Sequence, residues 1–417
     1  MSCLAGGSIS LRTQVACVNF LDAHKEEMAY LRYIVLWWLI AESWAVAGTD
    51  GPCAQWLKFS PHILTVERSY FSQGPMRLLT NLRPSKVRPK KLTLYTLNTY
   101  GLTTAQLSTH FNGHYNYWQT SMTLGKSPFD LQRIALSIQE VKADIVFLQE
   151  VKSVRVLENF NHNYLNDRYQ VMMFDQAAHP NMRTDLHVHT GLLIKKGINL
   201  DFELHSSRDL QGMYFDKQIS VFTHDFLVLV ARPAGLNLKR PPLMLIGCLH
   251  LKARKSLVND PQGLMMRQIQ VQAVRKIMHH VQRTFSPDIP FFLMGDFNGD
   301  LSTAPELKII FQEGLHDTLH DLPNFNDSPV THTFHGIKNG PIELVRGQLD
   351  AILANDIVGQ KRLITNGGIY RWKDRQGNPR PLPSTLEERT QNPSDHFPVW
   401  ATVQLSWPLA KHHPDYN

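Results

Sequence analysis

Cysteine is scarce in this 417-residue chain: Cys3, Cys17, Cys53 and Cys248 are the whole supply, and no CxxC pair occurs. That excludes a disulfide scaffold and argues against a structural zinc site. Cys248 falls inside an apolar strand pattern and reads as a buried thiol. No apolar run approaches the ~20 residues that a membrane-spanning helix needs. Internal repeats, low-complexity tracts and a GxSxG nucleophile elbow are also absent. Hydrophobic residues, by contrast, make up 43% and charged ones 19%, which supports a sizeable globular core. The formal net charge of +7 favours polyanionic partners, either nucleic acid or an acidic membrane surface.

The first 47 residues carry a pattern of their own. From Met28 a basic residue, Arg32, precedes the short apolar run 33–40, and a small-x-small end follows at Ala45 and Ala47. This is the layout of a secretory signal peptide, so translation is expected to start at Met28 and cleavage to follow Ala47. The protein would then be secreted or periplasmic; with a start at Met1 it would be cytoplasmic, and the segment would be a helix buried on the domain. Residues 48–90 read as a linker or N-terminal extension, with Pro84, Pro89, Lys86, Arg88, Lys90 and Lys91 marking its end. One domain is expected over 91–406, followed by a tail at 407–417.

Within that domain, helical spacing of apolar residues predicts helices over 128–142, 153–166 and 262–284, the first opened by Pro128. Apolar runs predict strands at 92–98, 144–149, 168–174, 189–195, 219–222, 226–231, 243–250, 290–296, 348–353 and 397–405. Several of these are apolar throughout, as in sheets covered on both faces. The polar, proline-rich stretch 371–394 reads as a long loop, a common place for function. Several helix-free stretches favour antiparallel pairing, and two packed sheets with helices outside fit the pattern.

Four short motifs end such strands: LQEV at 148–151, CLH at 248–250, GDFN at 295–298 and SDH at 394–396. In GDFN, Gly295 permits a tight exit, and Asp296 and Asn298, two apart, can orient a water and a phosphoryl oxygen together. Taken alone, these are equally well read as turn residues. Glu150 ends an apolar strand, where a buried carboxylate is costly unless something such as a hard divalent cation satisfies it; an exposed helix-start glutamate is the rival. His250, followed by Lys252 and Arg254, fits a phosphate pocket, although a lone strand-end histidine is more often structural. Asp395 can reach a metal or water, and His396 can donate to a phosphate oxygen or leaving group. Asp350, in GQLDAIL, can hold the His396 ring and keep it charged.

Together with Asn98, the series LQEVKSVRVLENFNHNYL, HLKAR, MGDFNGD, GQLDAIL and PSDHFPV resembles the endonuclease/exonuclease/phosphatase superfamily, and within it bacterial secreted members. The resemblance runs over about residues 91–405. It implies an α+β fold of the DNase I-like type, a four-layer αββα sandwich of two mainly antiparallel sheets flanked by helices. It implies metal contacts from Glu150, Asn98 and Asp395, with Mg2+ as the cofactor or Mn2+ in its place. By the same resemblance Asp296 activates or orients the water, and Asn298 helps position the phosphate. His250 and His396 stabilise the charged transition state, Asp350 orients His396, and Asn98 supports the metal or the substrate phosphate, which the residues Lys252 and Arg254 beside His250 are expected to contact as well. The chemistry implied is charge stabilisation plus an aligned water.

One departure bears on substrate. Many nucleases of this superfamily carry an acid two positions after the first asparagine, where this chain has Tyr100. The expected activity is a phosphodiesterase acting on nucleic acid, as a monomer with no transmembrane span. The first alternative is a lipid phosphodiesterase or phosphatase that recognises a phospholipid headgroup, sphingomyelinase-like or phosphoinositide-directed. The second is a catalytically silent binding module of the same fold, against which the joint presence of the motif residues argues.

Overall fold

A computed structural model of the chain describes residues 76–79, 89–103, 126–174, 188–215, 217–234, 242–254, 260–323, 325–337 and 342–405. The expected leader and signal segment, most of the 48–90 extension, the 407–417 tail and Cys3, Cys17 and Cys53 lie outside the described residues.

Strands β1 (Met76–Leu79) and β2 (Lys91–Leu102) are followed by helix α1 (Pro128–Glu140), β3 (Ile145–Val151), α2 (Val154–Leu165), β4 (Tyr169–Met172), β5 (His189–Lys195) and β6 (Leu200–Ser206). Next come β7 (Gln211–Tyr214), β8 (Lys217–Ser220), β9 (Leu227–Pro233), β10 (Met244–His250), the long α3 (Leu264–Phe285) and β11 (Phe291–Asp296). The chain continues through α4 (Lys308–Gln312), β12 (Leu315–Asp317), β13 (His332–Ile337), β14 (Ile342–Gly347), β15 (Asp350–Asn355) and α5 (Asp356–Gln360). It closes with β16 (Ile364–Ile369), α6 (Leu386–Thr390) and β17 (Val399–Gln404).

Two sheets carry the fold. One has seven strands in the order β1-β6-β9-β10-β11-β15-β12, the other six in the order β16-β17-β2-β3-β5-β4, and β7/β8 and β13/β14 form separate hairpins. Each large sheet is antiparallel except for one parallel pair, β10/β11 in the first and β2/β3 in the second. Alternate residues of the first sheet (Leu229, Ile246, Cys248, Phe292, Met294, Ile352) join a single buried cluster with the second sheet. Their neighbours Val230, Leu245, Phe291, Leu293 and Leu353 are equally buried on the opposite face, which is why these strands read as unbroken apolar runs. Each large side chain so buried contributes about 1.5–3 kcal/mol.

Helices cover the outer faces. The Ser127 hydroxyl caps α1 by accepting from the Asp130 N–H, with Pro128 in the first turn. The helix docks on the second sheet through a Tyr95–Ser137 hydroxyl hydrogen bond of 2.7 Å. On the first sheet, α3 places Phe285 under the Arg232 guanidinium at 5.0 Å. The result is the expected four-layer α+β sandwich.

The segment read as a linker also contributes to the fold: β1 pairs antiparallel with β6 at the sheet edge. The stretch 371–394 is less irregular than expected, with a bridge between Lys373 and Pro379 and helix α6, started by a Thr385/Glu388 capping box. Cys248 is buried and unbridged, as expected. No helix among the described residues is long and apolar enough to cross a membrane.

Candidate active site

Strand register brings the motif residues together. His250 lies opposite Asp296 across the parallel β10/β11 pair, and Asp296 lies opposite Asp350 across β11/β15, so the three occupy one rung. From the second sheet, β2 and β3 bring Asn98 and Glu150 to the same end, and the turn into β17 adds Asp395 and His396. The site therefore lies where the two parallel pairs end, at one edge of the sandwich.

The local backbone is unusual here. Tyr100, Glu150 and Asn298 hold left-handed φ values of 53°, 60° and 48°, conformations that non-glycine residues adopt at a cost and that recur at functional sites. Gly295 has φ 134° and packs so closely on β10 that a Cβ would lie 2.0 Å from the Leu249 carbonyl oxygen. Only glycine fits there, and that close approach sets the direction in which Asp296 leaves the strand.

Asp296 is almost fully buried, at 1% exposure. Its Oδ1 accepts from the Asn298 N–H at 2.7 Å, and its Oδ2 accepts from the Asn98 amide at 2.9 Å and the Asn298 amide at 3.2 Å. Asn298 is itself tied to the Leu251 carbonyl at 2.9 Å. His250 Nε2 and His396 Nε2 stand 3.6 and 3.9 Å from Asp296 Oδ2. The His396 Nδ1 is fixed by Asp350 Oδ2 at 2.7 Å, and the backbone N–H of Asp350 donates to the Thr331 hydroxyl at 2.8 Å.

These contacts set the protonation states. Burial pushes the Asp296 carboxyl up; His396 pulls it back and Asp350 adds to the rise, leaving it at about 6. Burial opposes charge on His396, but Asp350, Asp296 and Asp395 outweigh it and raise the imidazole to about 10. His250 goes the other way: burial, then His224, His396 and Lys252, push it well below its ordinary value. The site thus joins a carboxylate that titrates near neutrality, a charged imidazole and a neutral one.

The side of the site around Glu150 is crossed by hydrogen bonds. The Asn98 amide nitrogen donates to Glu150 Oε1 at 3.2 Å as well as to Asp296, while its oxygen accepts from the Tyr100 N–H at 2.9 Å. Asn98 is thus a donor clamp between two carboxylates, with its oxygen turned to the Tyr100 N–H. Asp395 Oδ2 is taken by the Arg389 guanidinium at 2.6 Å and His332 Nε2 at 3.3 Å. Burial works against its charge, but His332, His396 and Arg389 hold the carboxyl well below the usual range. Glu150 remains as the half-buried, partly solvent-accessible carboxylate. It fits a hard cation that takes one or two carboxylates and keeps much of its water. Two further clusters, His332/Asp395/His396 and Asp296/Asp350/His396, bring their ligand atoms within 4.8 Å of one another.

The expected phosphate contacts divide. Arg254 reaches the GDFN loop, donating from Nε to the Asn298 carbonyl at 3.3 Å with its guanidinium over the Phe334 ring. The Lys252 backbone N–H binds the Gln270 side chain, and Lys252 stays close enough to His250 to lower its pKa.

Four participants escape a sequence reading. His224 stacks on His250 with ring centroids 4.1 Å apart and anchors its own Nδ1 on the Val188 carbonyl. His332 packs against His396 at 4.2 Å. Arg389 also covers the Tyr100 ring at 5.5 Å. Buried Arg267 ties the Lys252 carbonyl to Glu306 beyond the GDFN loop. The capping box before Arg389 was the one signal available in the sequence.

No protein-family model matches the sequence, and no curated protein matches it. Solved structures with a similar fold include the human Nocturnin catalytic domain with bound sulfate (15% identity, TM-score 0.47, covering 79% of this chain and 98% of that one). An endonuclease/exonuclease/phosphatase family protein from Bacteroides thetaiotaomicron has 16% identity and a TM-score of 0.45, covering 77% of this chain and 100% of its own. TDP2 from D. rerio, complexed with single-strand DNA product, has 15% identity and a TM-score of 0.44, covering 76% and 100%.

Proposed function

We propose that this chain is a metal-dependent hydrolase of phosphate esters, a phosphodiesterase that cleaves nucleic acid by attack of water on phosphorus. The observation that carries the reading is the pair Asp296 and His396, 3.9 Å apart, both raised by their surroundings, the carboxyl to about 6 and the imidazole to about 10. A base whose pKa lies near the working pH and a charged acid across from it are what general acid–base catalysis requires.

In this reading Asp296, fixed by Asn98 and Asn298, accepts the proton of the attacking water. His396 donates from Nε2 to the leaving oxygen, with Asp350 holding its ring and its charge. Neutral His250 donates a hydrogen bond to a phosphoryl oxygen, and Arg254 adds positive charge beside the Asn298 turn. Glu150 would hold Mg2+, or Mn2+ in its place, which when bound polarises the phosphoryl oxygen and offsets its charge.

The +7 net charge supports a polyanion as substrate. A lipid phosphodiesterase or phosphatase is the second reading. It is favoured by Tyr100, which stands two positions after Asn98 in place of an acid and whose ring is flanked by Arg389 and Lys126 at 5.5 and 5.9 Å. The signal-like segment 28–47 adds the proposal that the enzyme works outside the cytoplasm; a mature N-terminus following Ala47 is the expected result of sequencing, and one at Met1 rejects it.

The functional test is a substrate panel of DNA, RNA, choline phospholipid vesicles and phosphoinositides, each with Mg2+, Mn2+ or chelator. Metal-dependent cleavage of nucleic acid is expected, reduced about 100-fold or more in Asp296→Asn and His396→Ala. Activity confined to phospholipids overturns the nuclease, and unchanged turnover in both variants overturns the site.

A further inference from the structure

We propose that His332, Asp395 and His396 form a separate cation site for a borderline transition ion of the Zn2+ class. The three side chains come from two places far apart in sequence, joined by the bridge between His332 and His396. All three are more than nine-tenths buried, at 8%, 7% and 4% exposure. His332 Nε2 lies 3.3 Å from Asp395 Oδ2, and His396 Nε2 lies 3.9 Å from Asp395 Oδ1. Tetrahedral Zn2+ with bonds of about 2.0–2.1 Å places its ligand atoms about 3.4 Å apart, and one ligand atom from each of these three residues lies within 4.8 Å of the others, so the site closes by drawing them together.

Asp395 Oδ1 is buried without a hydrogen-bond partner, while Oδ2 carries the Arg389 and His332 contacts. One carboxylate oxygen is therefore left for an ion. The His396 ring has its Nδ1 on Asp350 and points Nε2 into the cluster, the carboxylate–histidine arrangement that orients imidazoles toward metals. Two imidazole nitrogens and one carboxylate oxygen select Zn2+ over Mg2+, which prefers oxygen alone. This site is distinct from Glu150, which belongs to neither histidine cluster.

His396 Nε2 also carries the proton donated in the proposed hydrolysis, so an ion bound there must release that proton to solvent and would inhibit the reaction. That consequence rests on the proposed function; the binding does not. The test is equilibrium dialysis of the metal-stripped full chain against Zn2+ in excess Mg2+, for wild type, His332→Asn and Glu150→Gln. One retained Zn2+ per chain is expected in wild type and Glu150→Gln, with affinity reduced at least about 100-fold in His332→Asn. No retained Zn2+ in wild type, equal affinity in His332→Asn, or loss in Glu150→Gln each overturns the site. Should His332→Asn fail to fold, Co2+ bound to the wild type in the same Mg2+ excess is read spectroscopically. Intense tetrahedral visible bands support the site, and a pale octahedral spectrum rejects it. If hydrolysis is absent but Zn2+ binds as described, the proposed function fails and this site stands.

Discussion

Asp350→Asn tests the pairing at the centre of the site with little change in shape. Asp350 is fully buried, its Oδ2 is 2.7 Å from His396 Nδ1, and its backbone is held by Thr331, so an isosteric amide keeps the ring in place. What changes is charge. Burial already disfavours the imidazolium, and Asp350 heads the influences that raise it; without that carboxylate the His396 pKa should fall from about 10 toward its ordinary 6.5. Wild-type kcat/KM should rise with pH as Asp296 loses its proton near 6 and fall only as His396 loses its own near 10. A cation on Glu150 favours the charged form of Asp296 and can only move the acid limb lower.

In the variant, the alkaline limb should move down toward neutrality. At pH 8 most His396 would then be neutral, and the loss should be about 100-fold or more, in the range for a misplaced general acid. Near pH 6 the deficit should shrink. The assay is kcat/KM against pH on two phosphodiesters, one with an alkoxide leaving group and one with p-nitrophenolate, alongside a thermal melt. Because p-nitrophenolate leaves without a proton, its loss should be much smaller. A variant whose alkaline limb stays in place, or whose loss is equal for both leaving groups, refutes His396 as the acid oriented by Asp350.

Gly295→Ala should cost on the order of 3 kcal/mol, read as a shift in the urea midpoint, because the new methyl meets the Leu249 carbonyl in a backbone that only glycine tolerates; a wild-type midpoint would contradict the close approach. Arg389→Ala strands the buried Asp395 carboxylate and should lower stability by about 3–5 kcal/mol at neutral pH; the deficit should shrink in acid, where protonated Asp395 no longer needs a cation, and a pH-independent deficit argues against the pair. If nucleic acid is the substrate, its affinity should fall steeply as salt rises, with a log–log slope set by the number of phosphates contacted; a flat response points to another substrate. Met294→Ala and Leu293→Ala each empty a fully buried position and should each cost about 2–5 kcal/mol. Only Met294 faces the second sheet, so it alone should also lower kcat about tenfold or more through misplacement of the catalytic groups; equal kcat effects would undo that distinction.

The central strands were legible because they are buried on both faces. IVFLQ, MLIGCL and FFLM leave no alternation to misread, and the motifs at their ends landed on one edge as expected. Several peripheral strands were not. β6 places Glu203 and His205 on its outer face, paired with each other and with Arg232, so its sequence LDFELHS reads as polar. β12 has three residues, too few for a period. Among site residues, those ending apolar strands could be found, because a carboxylate or imidazole at such a point requires a partner. His332 and His224 lie among polar residues and nothing local marks them, while Arg389 has only the Thr385/Glu388 capping box ahead of it. Their roles come from partners brought by the fold: His332 meets Asp395 across 63 positions. Asp395 shows the limit most clearly. The sequence reading left a metal contact open for it, while the guanidinium that occupies one of its oxygens sits six positions upstream in a stretch read as loop.

The placement of the site explains why so many of its polar groups are buried. It is divided between the two sheets, and hydrogen bonds run across the division. Asn98, from the second sheet, clamps Asp296 of the first; Asp350, from the first, holds His396 of the second; and Gln149 reaches Cys248 in the core beneath at 3.6 Å. Buried polar groups of this kind are costly unless paired. Each half of the site therefore needs the other half to be satisfied, and the sandwich must close before either is. Folding and catalytic alignment thus depend on the same contacts: the apolar interface holds the sheets in register, and the cross-sheet pairs set the tuned values of Asp296 and His396. A shift between the sheets would lengthen Asn98–Asp296 and Asp350–His396 together, removing the base's fixed position and the acid's charge in one movement.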